Sequence, residues 1–198
     1  MISDRTEGLI SGTDNALPFL IESANRLKHA GAEILCICCN TAHCYIDIIE
    51  GKTGVEFLNM VEITGQYIRF HHYSSALVLA TEGTVKTDVY GRILRSMGIN
   101  CIYPEFQEAV NSIIYDGVKK LKTDYDCTDL NKRIASIAIN EKAAVVLGCT
   151  ELPVAVDTYN LYPFCIDPTD ILAKALIIKA GYNLNKKALE DSFWNYYT

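Results

Sequence analysis

Apolar positions along the chain fall into two alternating patterns: short uninterrupted runs, and longer stretches spaced by three and four. Leu17, Leu20, Ile21, Ala24 and Leu27 share one face of a helix that ends near Gly31. A buried strand is expected over 33–38, followed by the polar Cys39-Asn40-Thr41, then a short strand over 55–58. A helix over 60–71 follows, with Ile63 and Tyr67 turned inward. The pattern then restarts. A strand over 75–80 leads to a helix marked by Val89, Ile93 and Met97 and stopped by Gly98, and then to a strand over 99–103. Phe106, Ala109, Val110, Ile113 and Ile114 line a helix running to about residue 122, and Leu130, Ile134 and Ile137 line another. An uninterrupted strand over 143–147 ends in Gly148-Cys149-Thr150; a last strand over 163–166 and a closing helix over 171–180 complete the pattern.

Strands apolar on both faces, separated by amphipathic helices, predict an α/β protein whose parallel sheets are covered by helices. No low-complexity segment or linker interrupts the pattern. The polar region after Gly181 carries Phe193-Trp194-Tyr196-Tyr197, which reads as a tail docking on the core.

Composition narrows the function. The chain has 198 residues, 49% of them hydrophobic and 21% charged, enough for one domain or two small lobes with a sizeable core. The net charge is −6 and the basic residues are scattered, so no nucleic-acid partner is expected. No apolar stretch suits a membrane span and no signal pattern opens the chain; a soluble, cytoplasmic protein is expected. Eight cysteines stand at positions 36, 38, 39, 44, 101, 127, 149 and 165. Cys36, Cys38, Cys101 and Cys165 lie in apolar runs and read as small buried hydrophobes. Cys36-Ile37-Cys38-Cys39 is too tight for a two-cysteine zinc hairpin, so reduced thiols rank above metal binding.

Two places share one layout: a buried strand, a cysteine, polar residues, then a helix. They are Cys39-Asn40-Thr41-Ala42-His43 and Cys149-Thr150-Glu151-Leu152-Pro153. Ligands bind at the carboxyl ends of strands in open parallel sheets. A cysteine there, near a helix's positive end, is expected to have its thiolate favoured, while neighbouring N–H groups and Asn/Thr side chains can hold a carboxylate. Either cysteine alone reads slightly better as a buried strand-end residue; their duplication points to chemistry. Two opposed thiols suit removal of an α-proton from one face of an amino acid and its return to the other, because a modest shift brings a thiol near neutrality. His43 is either a bias on the Cys39 thiolate or a helix-surface histidine, and Glu151 either supports an amine, handles the proton of Cys149, or complements a helix dipole.

These two signatures resemble the paired motifs of the aspartate/glutamate racemase family. Asp4-Arg5-Thr6, Ala80-Thr81-Glu82-Gly83-Thr84 and Ile166-Asp167 are further matches, so the resemblance runs from Ser3 to about Gly181. It implies two similar α/β lobes with the active site between them, here 1–63 plus 167–198 and 64–166. It implies Cys39 and Cys149 as the two acid–base residues and no cofactor. Asn40, Thr41 and Thr150 would bind the carboxylate and amine of the amino acid. Arg5 matches the family's carboxylate-binding arginine, Lys119 resembles the lysine facing an acidic substrate, with Lys120 a weaker candidate, and Thr81 and Thr84 would line the pocket. Without the resemblance, Arg5 and Lys119 read as solvated surface charges.

Family members begin with a strand, a glycine-rich turn, a helix and a second strand before Asp-Arg-Thr, whereas this chain starts at Met1-Ile2-Ser3-Asp4-Arg5. The expectation is a first lobe lacking that segment, an open apolar edge near 36–39, weak activity, and pairing through that edge into a homodimer. The leading expectation is an aspartate racemase, with glutamate as the next substrate. The rivals are a relative that acts on another dicarboxylate such as maleate, and a non-catalytic descendant that only binds.

Overall fold

The computed structural model describes residues 5–13 and 16–197. Asp4, the first residue of the Asp4-Arg5-Thr6 motif, lies outside them, as do the outermost ends of the expected first lobe. The chain opens with helices α1 (Arg5–Ser11) and α2 (Ala16–His29), then strand β1 (Leu35–Cys36). A 3-10 turn, Thr41–Tyr45, leads into α3 (Ile46–Thr53), β2 (Phe57–Leu58) and α4 (Met60–Phe70). Next come β3 (Ser75–Ala80), α5 (Glu82–Thr87), α6 (Val89–Ser96), β4 (Asn100–Ile102) and α7 (Gln107–Ser112). The last part holds α8 (Thr128–Asn140), β5 (Ala143–Gly148), α9 (Leu152–Tyr159), β6 (Cys165–Ile166) and α10 (Pro168–Lys179).

Among the described residues all strand pairings are parallel and form two sheets, β1-β2 and β4-β3-β5-β6. The α/β class with parallel sheets flanked by helices is therefore as the apolar pattern predicted. β3 and β5 are buried along their whole length and pair from Ser75↔Ala143 to Ala80↔Gly148. Their alternating side chains supply two cores. Leu77, Leu79, Val145 and Leu147 meet Ile113, Ile134 and Leu152 on one face, while Ala76, Val78, Ala144 and Val146 meet Val61, Ile68, Tyr90 and Leu94 on the other.

Helix α4 serves two cores at once. Val61 and Ile68 lie against the four-stranded sheet, whereas Met60 and Ile63 pack with α10 and the carboxyl-terminal aromatics. The expected boundary between 63 and 64 thus falls inside one helix, which Asn59 caps by accepting from the Val61 and Glu62 N–H groups at 3.0 and 3.2 Å. Phe193 and Trp194 are buried against α4 and α10, a docked tail as expected. Asp191 fastens it by accepting from the Tyr67 hydroxyl and, at 3.0 Å, from the Phe193 N–H.

Several expectations are corrected. The strand expected over 33–38 contracts to Leu35–Cys36, because β2 is its only partner among the described residues and offers two positions. Consequently Cys38 is exposed and Cys36 only half-buried; Cys101 and Cys165, on the outer strands β4 and β6, are half-buried too, and the buried cysteines are Cys127 and Cys149. The helix expected from 106 to 122 changes pitch: after α7, Ile113–Val118 form a π-helical segment in which the Lys119 N–H donates to the Ile114 carbonyl at 3.0 Å. No helix among the described residues is long and apolar enough to cross a membrane.

Gly148 is the tightest point of the large sheet. A Cβ there would lie 3.0 Å from the Leu79 carbonyl oxygen, the Ala80 Cβ and Val78 Cγ1. The carbonyl belongs to a fixed ladder and has nowhere to move. Gly148→Ala is expected to destabilise the protein by about 1–3 kcal/mol, read as a lower urea midpoint with unchanged slope; an unchanged midpoint would show that the sheet yields there.

Candidate active site

The carboxyl ends of β1 and β5 open onto one small pocket of about 50 Å³. Arg5, Cys39, Asn40, Thr41, Thr81, Lys119, Cys149 and Thr150, all singled out from the sequence, line it together with Thr6, Tyr115 and Glu151. Thr84 does not reach the lining. It is fully buried behind it, its hydroxyl 2.8 Å from that of Thr41 and 3.2 Å from that of Thr81. A larger cavity, about 610 Å³, opens at the opposite end of the sheet, beside Ser74, Ala143 and Cys165 where the strands begin. The small pocket is the better candidate because it lies at the strand carboxyl ends and gathers both cysteines.

Backbone register brings the two halves together. Thr81 follows Ala80 and Cys149 follows Gly148, and Ala80 and Gly148 are paired across β3 and β5. On the other side of the pocket, Thr41 follows Cys39 by two residues. The two sides are joined by hydroxyl groups: Thr41 Oγ1 lies 3.1 Å from Thr81 Oγ1, and the Thr6 hydroxyl donates to Thr81 Oγ1 at 3.0 Å. Helix α1 can come this close only because residue 83 is glycine, where a Cβ would stand 2.8 Å from Thr6 Cα and 3.2 Å from Thr41 Cγ2. Arg5 is carried to the pocket by that approach.

Cys149 differs from the expected activated thiolate. Its Sγ–H donates to Glu151 Oε2 at 2.8 Å, and the Thr150 hydroxyl donates to the same oxygen at 3.1 Å. Burial first, and the Glu151 carboxylate second, push the thiol well above its usual range. Desolvation and a neighbouring negative charge outweigh any help from the start of α9, so Cys149 is held protonated. The opposite oxygen of Glu151 faces Lys119 Nζ at 4.0 Å, and that ammonium lies 4.3 Å from the centre of the Tyr115 ring. The π-helical segment sets this group, since its wider turn carries Tyr115 and leads directly into Lys119.

His43 is neither a helix-surface residue nor a bias on the thiolate. It is buried, its Nε2 accepts from the Met60 N–H at 3.2 Å, and its Nδ1 lies 2.8 Å from the Cys39 carbonyl oxygen. Accepting at Nε2 leaves the proton on Nδ1, so a neutral ring ties the Cys39 backbone to the start of α4. Asn40 is also buried; Oδ1 accepts from the Tyr90 hydroxyl at 2.6 Å, while Nδ2 has no partner among the described residues.

Sequence reasoning did not select Tyr115, Thr6 or Tyr90, and left Glu151 among three roles. Tyr115 stands four residues before Lys119 and Thr6 directly follows Arg5, so spacing held a signal for both. Tyr90 lies 50 residues from Asn40 and left none.

Two cysteines that follow parallel strands thus line one pocket with an arginine, a lysine, an asparagine and several threonine hydroxyls on an α/β fold. The Asp/Glu/hydantoin racemase family model matches residues 1–176, and the chain belongs to that family. It is 29% identical over 160 residues to the broad specificity amino-acid racemase RacX of Bacillus subtilis (strain 168), covering 80% of this chain and 69% of that protein. It is 28% identical over 182 residues to the glutamate racemase of Koribacter versatilis (strain Ellin345), covering 85% of this chain and 60% of that one. Among solved structures, the aspartate racemase of Picrophilus torridus superposes with a TM-score of 0.71 at 29% identity, covering 94% of this chain and 78% of that chain.

The neutral, buried His43 makes stability depend on acid. Burial lowers its pKa from 6.5 to about 4. Below 6.5 the unfolded chain takes up a proton that the folded one refuses, so stability is complete above that pH and lost as pH falls towards 4. The loss is about 1.4 kcal/mol per pH unit, roughly 3 kcal/mol in all. Urea titrations at pH 7 and pH 5 are expected to show about 2 kcal/mol of it in the wild type and much less in His43→Gln; equal losses in both would remove His43 as the cause.

Proposed function

We propose that this protein is a cofactor-independent amino-acid racemase that interconverts L- and D-aspartate, with Cys39 and Cys149 as its opposed acid and base. One observation carries the reading: both thiols line a single small pocket with Arg5, Asn40, Lys119 and the threonine hydroxyls. A racemase of this kind needs one thiol ionised and the other protonated at the start of each turnover. Cys149, whose Sγ–H donates to Glu151, is the protonated member. Cys39 is then the base that removes the α-proton, and Cys149 delivers its own proton to the opposite face. Turnover leaves Cys39 protonated and Cys149 ionised, the arrangement that accepts the other enantiomer. An α-proton beside a carboxylate is weakly acidic, so donors that stabilise the enediolate matter as much as the base. The amide Nδ2 of Asn40 is a donor at hand, whereas the Thr150 hydroxyl already donates to Glu151.

Arg5 and Lys119 supply positive charge for a second carboxylate, which favours a dicarboxylic amino acid. The names of the similar proteins cover aspartate, glutamate and broad specificity; aspartate is chosen here on the similarity to the Picrophilus torridus protein. A relative acting on another dicarboxylate would use the same charges, and assaying aspartate, glutamate and maleate on one preparation separates the readings.

Cys39→Ala and Cys149→Ala are each expected to slow aspartate racemisation on the order of 10²–10⁴-fold, whereas Cys36→Ala keeps the rate. In heavy water, early product carries solvent deuterium at the α-carbon and recovered substrate carries little. Equal early labelling of both would indicate a single base and overturn the scheme.

The charge recognition has its own test. Arg5→Ala or Lys119→Ala is expected to raise the Michaelis constant for aspartate by the worth of a charge-assisted hydrogen bond, about 1.5–3 kcal/mol. Unchanged constants in both variants would return these residues to the solvated surface.

A further inference from the structure

Tyr90 takes no direct part in the scheme above, yet it is among the largest fully buried side chains of the protein. Its ring sits in the core on the α4–α6 side of the four-stranded sheet, with Val61, Ile68, Val78 and Leu94. The first turn of α6 is held from outside as well, because the Gly91 N–H donates to the Tyr103 hydroxyl at 3.1 Å. A rigid aromatic of this kind delivers its hydroxyl to one fixed point, and that point is Asn40 Oδ1, 2.6 Å away.

A side-chain amide can turn over and exchange its oxygen and nitrogen, and the two orientations offer a ligand opposite chemistry. With Oδ1 facing the pocket, Asn40 would present lone pairs to a carboxylate and repel it. With Nδ2 facing the pocket, it presents N–H donors. The phenol decides between them. Burial keeps its proton in place, and a buried O–H needs an acceptor. Only the Oδ1-inward orientation provides one. Nδ2 is left buried without a partner among the described residues, on a residue that lines the pocket. An orphaned buried donor is unfavourable, and a ligand oxygen would relieve it.

We infer that Tyr90 is a positioning residue for substrate recognition: its hydroxyl fixes the Asn40 amide so that Nδ2 is held ready for a carboxylate oxygen of the amino-acid substrate. The inference rests on the proposed racemase reading and assigns a function to a residue that never touches the substrate.

Four proteins test it: wild type, Tyr90→Phe, Asn40→Ala and the double variant. Each is measured by the heat of L-aspartate binding, by kcat/KM, and by thermal midpoint. Tyr90→Phe is expected to weaken aspartate binding about tenfold. The double variant is expected to match Asn40→Ala within about twofold, because without the amide the hydroxyl has nothing to orient. The double variant also lacks the unsatisfied Oδ1 that Tyr90→Phe creates. If Tyr90→Phe does not fold, Asn40→Asp takes its place: with the phenol holding one oxygen, the other oxygen would meet the substrate carboxylate, so binding is expected to fall below that of Asn40→Ala, and binding equal to or above it overturns the inference. A merely structural tyrosine would lower the midpoint and leave binding by the folded protein unchanged. That result, or losses in the double variant equal to the product of the two single losses, overturns the inference. Impaired binding in Asn40→Ala with normal binding in Tyr90→Phe removes only the role of Tyr90. A wild type that binds neither L-aspartate nor L-glutamate ends the substrate reading, and this inference with it.

Discussion

The geometry of the pocket depends on a knot of threonine hydroxyls held away from water. Thr6, Thr41, Thr81 and Thr84 come from α1, the 3-10 turn, the end of β3 and α5, and they satisfy one another at 2.8–3.2 Å. A buried hydroxyl that loses its partner costs about 1–3 kcal/mol, so the four elements cannot separate without leaving several such groups unpaired. Through this knot the two-stranded sheet that ends at Cys39 is fixed against the four-stranded sheet that ends at Cys149. The β3–β5 register then completes the connection, since Ala80 and Gly148 are paired neighbours and the next residues are Thr81 and Cys149. Gly83 lets α1 lie close enough for Thr6 to join.

With that frame in place, the chemistry is a matter of where charge is permitted. Glu151 takes the Cys149 proton as a hydrogen bond and faces Lys119 with its other oxygen. Protonated thiol, carboxylate and ammonium form a chain from the buried centre of the pocket to its rim, where Lys119 is about a third exposed. On the proposed reading, an entering dicarboxylic amino acid would compete with Glu151 for Lys119. On that reading the same carboxylate that restrains Cys149 would be coupled to substrate charge, linking binding to the protonation of the thiol.

On the far side, His43 and Tyr90 act on backbone and amide rather than on substrate. His43 holds the Cys39 carbonyl to the start of α4, and Tyr90 holds Asn40 from the core of the large sheet. The Cys39-Asn40-Thr41 run is thus gripped by α4, α6 and α5 in turn. This suits a short strand with a single partner, whose own ladder is too small to fix it.

The sequence by itself determined the class of fold, most of the succession of elements and the two cysteines that the fold brings to one pocket. These follow from local patterns: uninterrupted apolar runs for β3 and β5, three-and-four spacing for the helices, and a cysteine motif repeated after two strands. It also picked out Arg5, Lys119 and the threonines, by their resemblance to family motifs. What it left open or misjudged depends on groups distant in the chain. The length of β1 is set by the partner it has, the exposure of Cys38 by that length, and the pitch of the helix through Tyr115 by tertiary packing. The state of Cys149 was misjudged because dipole and solvent effects can be guessed from a motif, whereas the depth of burial beside Glu151 cannot. Thr84 moved from the lining to the support behind it, and Tyr90 entered the site, for the same reason. Which atoms face a cavity is decided by how helices and sheets pack in three dimensions, and hydrophobic periodicity carries no record of it.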